Sequence, residues 1–321
     1  MSSRKTPAAP ERTHEKYDRL IALAKTMPAV TAAVAHPCDE ASLTGAMEAA
    51  EAGLIVPILV GPKSKIESVA VKCGIDLKGV EIVDVAHSQE AAAKAVEIVR
   101  SGRAEVLMKG SLHSDELLSA VAKKETGLRT GRRISHVFIM DVPDHPETLF
   151  ITDAAVNIFP DLMAKRDIVQ NAIDLFHGLG LGTPKVAILS AVETVTISIP
   201  STLEAAALCK MADRGQITGG ILDGPLAFDN AISPEAAAIK GIKSEVAGHA
   251  NILVVPDLEA GNMLAKNLSF LAHADAAGIV LGARVPIILT SRADSVRTRM
   301  ASCAIAVAFA HSQRSKTPIR S

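Results

Sequence analysis

Hydrophobic and polar positions alternate along this chain in one rhythm: a short apolar run, then a longer stretch with apolar residues at helical spacing. The apolar runs are VTAAVAH (30–36), LIVPILVG (54–61), VEIVDV (80–85), AEVLMKG (104–110), ISHVFIMDV (134–142) and TLFITDAAV (148–156). They continue with KVAILSAV (185–192), GGILDG (219–224), ILVVPD (252–257), AGIVLG (277–282) and VPIILTS (285–291). Between them, stretches such as HEKYDRLIALAKTM, SQEAAAKAVEIVRSG, LMAKRDIVQNAIDLFHGLG, SPEAAAIKGIKSEVAG and RADSVRTRMASCAIAVAFAH predict helices. Strand, helix, strand at this spacing predicts a doubly wound α/β fold.

The rhythm breaks once. ISHVFIMDV and TLFITDAAV are joined by a short Pro- and Asp-containing turn with no helix between them, which predicts an antiparallel hairpin inside a mixed sheet. A change of domain is expected there. Residues 14–134 and 281–312 are expected to form a first, discontinuous α/β domain, and 135–280 a second one flanking a cleft. The polar ends, 1–13 and 313–321, are expected to be disordered tails.

Composition narrows the picture. The chain has 321 residues, enough for two domains, and is 48% hydrophobic but only 2% aromatic. Its core must therefore be aliphatic, as in parallel sheets covered by helices. Few aromatics and a net charge of −1 also argue against a nucleic-acid partner. No apolar run reaches membrane-spanning length, and the polar N-terminus has no signal-peptide core, so a cytoplasmic protein is expected. Four scattered cysteines and ten dispersed histidines form no metal-binding motif. The cysteines are expected to be reduced and mostly buried.

Ligands of open α/β sheets bind beyond the carboxyl ends of strands. The residues following each apolar run are thus the candidates. In MKGSLHSDELL (108–118), Lys109 ends a strand, Gly110 would let the backbone approach a ligand, and Ser111 could donate a hydrogen bond at a helix start that favours anions. Helix capping by Ser114 is the alternative. GLRTGRR (127–133) sets Arg129, Thr130, Arg132 and Arg133 in a loop where guanidinium groups could fork onto phosphate, unless they are merely solvated. Asn157 follows another run. In LDGPLAFDNAIS (222–233), Asp223 fits a turn, whereas Asp229 is harder to assign to turn chemistry; both could serve a cleft. GLGLG (178–182) ends a helix and precedes a strand, so it predicts a helix cap rather than a dinucleotide loop.

The stretch PIILTSRADSVRTR (286–299) presents a hydroxyl, a cation and a carboxylate together. Capping by Ser291, with Asp294 in the first helical turn, accounts for two of them. Arg292 at the positive end of a helix dipole is unfavourable, and Arg297 and Arg299 repeat the conflict, which an anionic ligand would remove.

Three segments, LDGPLAFDNAIS, ILVVPDLEAGNMLAKNL (252–268) and VPIILTSRADS, together resemble the phosphate acetyltransferase and phosphate butyryltransferase family. MKGSLHSDELLSAV, GLRTG and ISHVFIMDV add to the likeness, which runs in order from about residue 14 to 311. The resemblance implies two α/β domains on an isocitrate/isopropylmalate dehydrogenase-like architecture, a homodimer, and reversible conversion of an acyl-CoA and phosphate into an acyl phosphate and CoA. CoA is then a substrate, and no cofactor or metal is required. Ser291 and Arg292 match the family's catalytic Ser-Arg pair. Arg292 would hold phosphate and the carbonyl oxygen, with Ser291 hydrogen-bonding the transition state or positioning the thiol. Relatives of the acetyl type carry their aspartate base further along the following helix, where this chain reads VRTRM. Asp294, or a carboxylate such as Asp223 or Asp229, would take that role. Acetyl transfer is the first expectation and butyryl transfer the second. A decarboxylating dehydrogenase and a non-catalytic CoA sensor remain as alternatives.

Overall fold

A computed structural model describes residues 15–143, 145–289 and 294–314. All eleven apolar runs form strands within it. In chain order these are β1 (Val30–Ala35), β2 (Ile55–Gly61), β3 (Glu81–Asp84), β4 (Val106–Lys109), β5 (Ser135–Asp141) and β6 (Leu149–Thr152). There follow β7 (Lys185–Leu189), β8 (Ile221–Leu226), β9 (Ile252–Val254), β10 (Asp275–Leu281) and β11 (Ile287–Ile288). The helices begin with α1 (Glu15–Lys25), α2 (Glu40–Glu51), α3 (Lys63–Cys73), α4 (Ser88–Arg100), α5 (Ser114–Ala122) and α6 (Leu162–Gly178). They end with α7 (Pro200–Asp213), α8 (Phe228–Ile232), α9 (Pro234–Ile239), α10 (Leu258–Leu271) and α11 (Val296–Arg314).

The strands make one continuous sheet in the order β3-β2-β1-β4-β11-β10-β5-β6-β9-β7-β8. The two flanks are parallel, and the centre is not. β5 pairs antiparallel with β6, as the hairpin predicted, and β10 runs antiparallel to both β5 and β11. β11 then returns the chain to β4, so segments far apart in sequence meet at the middle of the sheet.

The core is aliphatic, and its two faces differ. On one face a single cluster runs across both flanks, through Val34, Val137, Ile139, Val186 and the central part of α11. Residues 301–310 of α11 are buried on every side, which is the property of a helix enclosed by other layers. On the opposite face the core splits in two. One cluster lies under α4 and α5, and the other under α8, α9 and α10. The gap between them sits over the antiparallel centre.

Several details depart from expectation. The stretch KSKIESVAVKC forms α3, with Ile66 and Ala70 alone fully buried. α9 stops at Ile239, and Gly241 at φ +66° breaks the helix that the sequence continued through Val246. α11 starts at Val296, with the Ser295 hydroxyl accepting from Thr298 N at 3.1 Å. Ser295 is thus the cap in place of Ser291. Gln313 and Arg314 close α11 instead of opening the C-terminal tail. The rest of both expected tails, 1–13 and 315–321, lies outside the described residues. Among the cysteines only Cys303 is fully buried.

Candidate functional site

A cavity of about 410 Å³ fills the gap between the two split clusters. Residues from three sides build it. β4 and the start of α5 contribute Lys109, Leu112, His113 and Ser114. The antiparallel centre forms the floor, with His136 and Phe138 from β5 beside the small residues Ala276 and Gly278 of β10. Leu289 and Asp294 close it from the remaining side. Lys109 is buried, and its Nζ donates to the carbonyls of Gly110 and Leu112 at 3.3 Å each. Ser291 and Arg292 lie outside the described residues.

His136 is fully buried between Phe138, whose ring centroid is 4.4 Å away in an edge arrangement, and Gly278. Burial lowers its pKa to about 4, only partly opposed by the Asp153 carboxylate. The imidazole is therefore neutral at physiological pH. Asp153 itself is held by donors: its two oxygens accept from the backbone N–H groups of Ala155, Val156 and Asn157 and from the Asn157 amide.

A second cavity, of about 660 Å³, opens beside the first. The loop after β6 borders both, Ala155 facing the smaller and Val156 and Asn157 the larger. Arg129, Arg132, Arg133 and Arg166 line the larger one, against an apolar wall of Ile134, Phe159 and Met163. Arg132 pairs with Asp174 and Arg166 with Asp167, while Arg133 Nε donates to Asn157 Oδ1 at 2.8 Å. The loop that carries these arginines is pinned by Thr130, whose hydroxyl donates to Gly282 O at 2.7 Å.

The residues singled out in the sequence thus separate. Lys109 and Asp294 meet at the smaller cavity, and Arg129, Thr130 and Asn157 meet at the larger. Asn157 and Thr130 spend their polar atoms on the protein, so they shape the wall. Gly110 serves the fold: a Cβ there would stand 2.3 Å from Ala35 O and 2.5 Å from His36 O, so the close approach is to the end of β1 and not to a ligand. Ser111 likewise donates to His36 O at 2.8 Å and meets His36 Nδ1 at 2.9 Å. Ser114 is the first residue of α5, and no side-chain hydrogen bond caps that helix. Asp223 and Asp229 stand at and beyond β8, seven strands from β4 and on the order of 30 Å along the sheet. Asp223 lies inside β8 and not in the turn its sequence suggested, because residues 221–226 pair with β7; its side chain accepts from Gly224 N at 2.8 Å, and Asp229 lies 3.9 Å from Lys240.

Arg297 and Arg299 do not await an anion. Arg297 pairs with Asp18, and the Arg299 guanidinium donates to Asp294 O at 2.6 Å and lies 3.9 Å from Glu48. Three of the four thiols are poor nucleophiles as well. Burial pushes Cys38 up to about 11 and Cys209 and Cys303 up to about 12. Among the described residues, no group of three or more His, Cys, Asp and Glu is arranged to hold a metal, and no helix is long and apolar enough to cross a membrane. Reasoning from sequence missed His136, although a histidine inside an otherwise apolar strand was a visible signal.

Comparison with known proteins adds the following. A family model described as "Phosphate acetyl/butaryl transferase" matches residues 87–307. A phosphate acetyltransferase of Rhizobium meliloti is 73% identical over 309 residues, 96% of each chain. A phosphate butyryltransferase of Clostridium acetobutylicum is 43% identical, over 92% of this chain and 98% of its own. Among solved structures, a branched-chain phosphotransacylase from Enterococcus faecalis superposes with a TM-score of 0.77 at 30% identity, covering 88% of this chain and 99% of its own. A 4-hydroxythreonine-4-phosphate dehydrogenase from Burkholderia phymatum shares the fold at a TM-score of 0.52 and 11% identity, covering 88% and 98%. The dehydrogenase-like architecture is thereby shown.

Proposed function

This chain belongs to the phosphate acetyl/butaryl transferase family, and from that premise we propose that it moves an acetyl group between coenzyme A and inorganic phosphate. The observation that carries this reading is the near-full-length identity to a phosphate acetyltransferase, which far exceeds that to the butyryltransferase.

The chemistry sets three requirements. A phosphate oxygen attacks the thioester carbonyl carbon, the π electrons move to oxygen, and the carbon–sulfur bond breaks as the carbonyl re-forms. Phosphate therefore needs cationic charge, the oxyanion needs preorganised donors, and the sulfur needs a proton on leaving. In reverse, a CoA thiol with a pKa of about 8.5 must lose that proton to attack. Atoms and electrons balance with no metal or redox cofactor.

The smaller cavity offers a carboxylate and an amine, Asp294 and Lys109, and the roles of Ser291 and Arg292 come from the family resemblance. Arg292 holds phosphate and the carbonyl oxygen, Ser291 hydrogen-bonds the transition state, and Asp294 exchanges the proton with sulfur. Asp294 is supported in this by lining the same cavity as the buried ammonium of Lys109. The arginines of the larger cavity, Arg129 and Arg133 among them, take the phosphates of CoA, and the apolar wall takes its less polar parts. Because the loop at 155–157 borders both cavities, one extended substrate can occupy the two together. The enzyme works as a homodimer. That reading is supported by α10, where Met263, Phe270 and Leu271 are 59%, 79% and 78% exposed in a single chain.

The test is a panel of acyl-CoA substrates from two to six carbons, assayed with phosphate for thiol release. Acetyl-CoA is expected to give the highest kcat/KM. A maximum at four carbons would replace acetyl with butyryl transfer, and no phosphate-dependent release from any member would reject the reading.

A further inference from the structure

His136 has no role in the mechanism so far, yet it lies in the floor of the acyl-transfer cavity. We infer that His136 is a catalytic residue, donating a hydrogen bond from neutral imidazole Nε2–H to the acyl carbonyl oxygen as that oxygen becomes negative. This inference rests on the acyltransferase reading.

The geometry assigns the two ring nitrogens different surroundings. Nδ1 is sealed from water and has no hydrogen-bond partner among the described residues. Nε2 lies over Gly278, where a Cβ would stand 2.8 Å from it. Gly278 and His136 both line the cavity with Lys109 and Asp294, and Nε2 is the ring nitrogen on the Gly278 side. A donor left without a partner costs more where nothing can reach it than where substrate can, so the proton resides on Nε2. Glycine at 278 keeps open the space the imidazole occupies. Gly278 is itself fixed from the other face of the sheet, its N–H donating to Ser302 Oγ of α11 at 3.1 Å. The Phe138 ring packs edge to face on the other side.

Chemically, a buried neutral imidazole is an electrophile and not a base. When the phosphate oxygen–carbon bond forms, the carbonyl electrons shift to oxygen, and Nε2–H stabilises them without transferring its proton. When the carbon–sulfur bond breaks, the electrons return to the carbonyl, and the proton from phosphate goes to sulfur. Histidine ends the cycle as it began. Asp153, the carboxylate nearest in effect, is saturated by backbone donors and the Asn157 amide, and so does not draw the imidazole into an ion pair.

The test compares the wild type with His136→Ala, His136→Gln and Gly278→Ala in the full chain, using acetyl-CoA and phosphate. Losing one oxyanion donor is expected to lower kcat about 100-fold or more in His136→Ala, with the KM for phosphate little changed. Gln, a neutral donor of similar reach, is expected to recover at least about tenfold of that loss. In Gly278→Ala the methyl group displaces the ring, and kcat should fall as in His136→Ala while circular dichroism shows the fold retained. Nitrogen NMR of the wild type, with the His136 signals assigned by their loss in His136→Gln, should show this imidazole neutral and protonated at Nε2 at about pH 5.5, where ordinary histidines are mostly charged. A His136→Ala kcat within threefold of wild type, a His136→Gln variant no better than His136→Ala, a Gly278→Ala variant as active as wild type, or protonation at Nδ1 would overturn the assignment. Those outcomes require an active wild type; an inactive wild type would instead reject the acyltransferase reading itself.

Discussion

Arg299 sits in the first turns of α11 with its Cδ and Nε against Gly45, where a Cβ would stand 2.9 Å from either atom. The neighbouring helix thus carries a recess for this side chain. The Glu48 carboxylate 3.9 Å away and the Asp294 carbonyl absorb its charge, so it steadies the residue that borders the cavity. His136 illustrates the opposite case, a group that the fold keeps uncharged. Its native pKa of about 4 lies below the unfolded value of 6.5, so between those pH values the unfolded chain binds more protons. Stability must then rise with pH through that window, and this residue adds no further slope above it. Its contribution should make the protein about 2 kcal/mol less stable at pH 5 than at pH 8. Urea unfolding of wild type and His136→Gln at both pH values measures this. The wild type is expected to lose more stability than the variant on acidification, and equal losses would contradict a buried neutral imidazole.

At the scale of elements, the apolar runs were legible as strands because a central parallel strand needs little beyond a block of aliphatic residues. The hairpin between β5 and β6 was legible because its turn left no room for a helix. α3 escaped because Ile66 and Ala70 give only a weak buried stripe among polar residues. The true start of α11 escaped because Ser291 and Ser295 are equally good caps in sequence, and tertiary structure chose the second. The role of α1 was also invisible. The hydroxyl of Tyr17, the sole tyrosine, donates to Ile139 O at 2.5 Å and accepts from Ala277 N at 2.6 Å. Ile139 and Ala277 are register partners across the β5–β10 ladder, so α1 fastens the cavity floor from beneath. Tyr17→Phe would leave both backbone groups buried without their partner. We expect a loss of about 1–3 kcal/mol in unfolding free energy, measured by chemical denaturation. An unchanged midpoint and slope would show that the hydroxyl bridge carries no stability.

For the whole molecule, the decisive feature is the asymmetry of the core. One face is continuous through α11, while the other is divided over the antiparallel centre, and the smaller cavity lies in that division. The alternation of strands and helices announced an α/β sheet, but strand order is a property of the assembled chain. In sequence, the ends of β4 and β8 look equally suited to a site. In the sheet they are seven places apart, which brings Lys109 to Asp294 and leaves Asp223 and Asp229 at the far edge. The central claim is that this cavity transfers an acyl group to phosphate with the help of Arg292. The most direct measurement is acetyl phosphate formation from acetyl-CoA and phosphate by the wild type and by Arg292→Ala, with thermal unfolding recorded for both. The account predicts turnover by the wild type and a loss of about 100-fold or more in the variant at an unchanged melting temperature. An equally active, equally stable Arg292→Ala protein would contradict it.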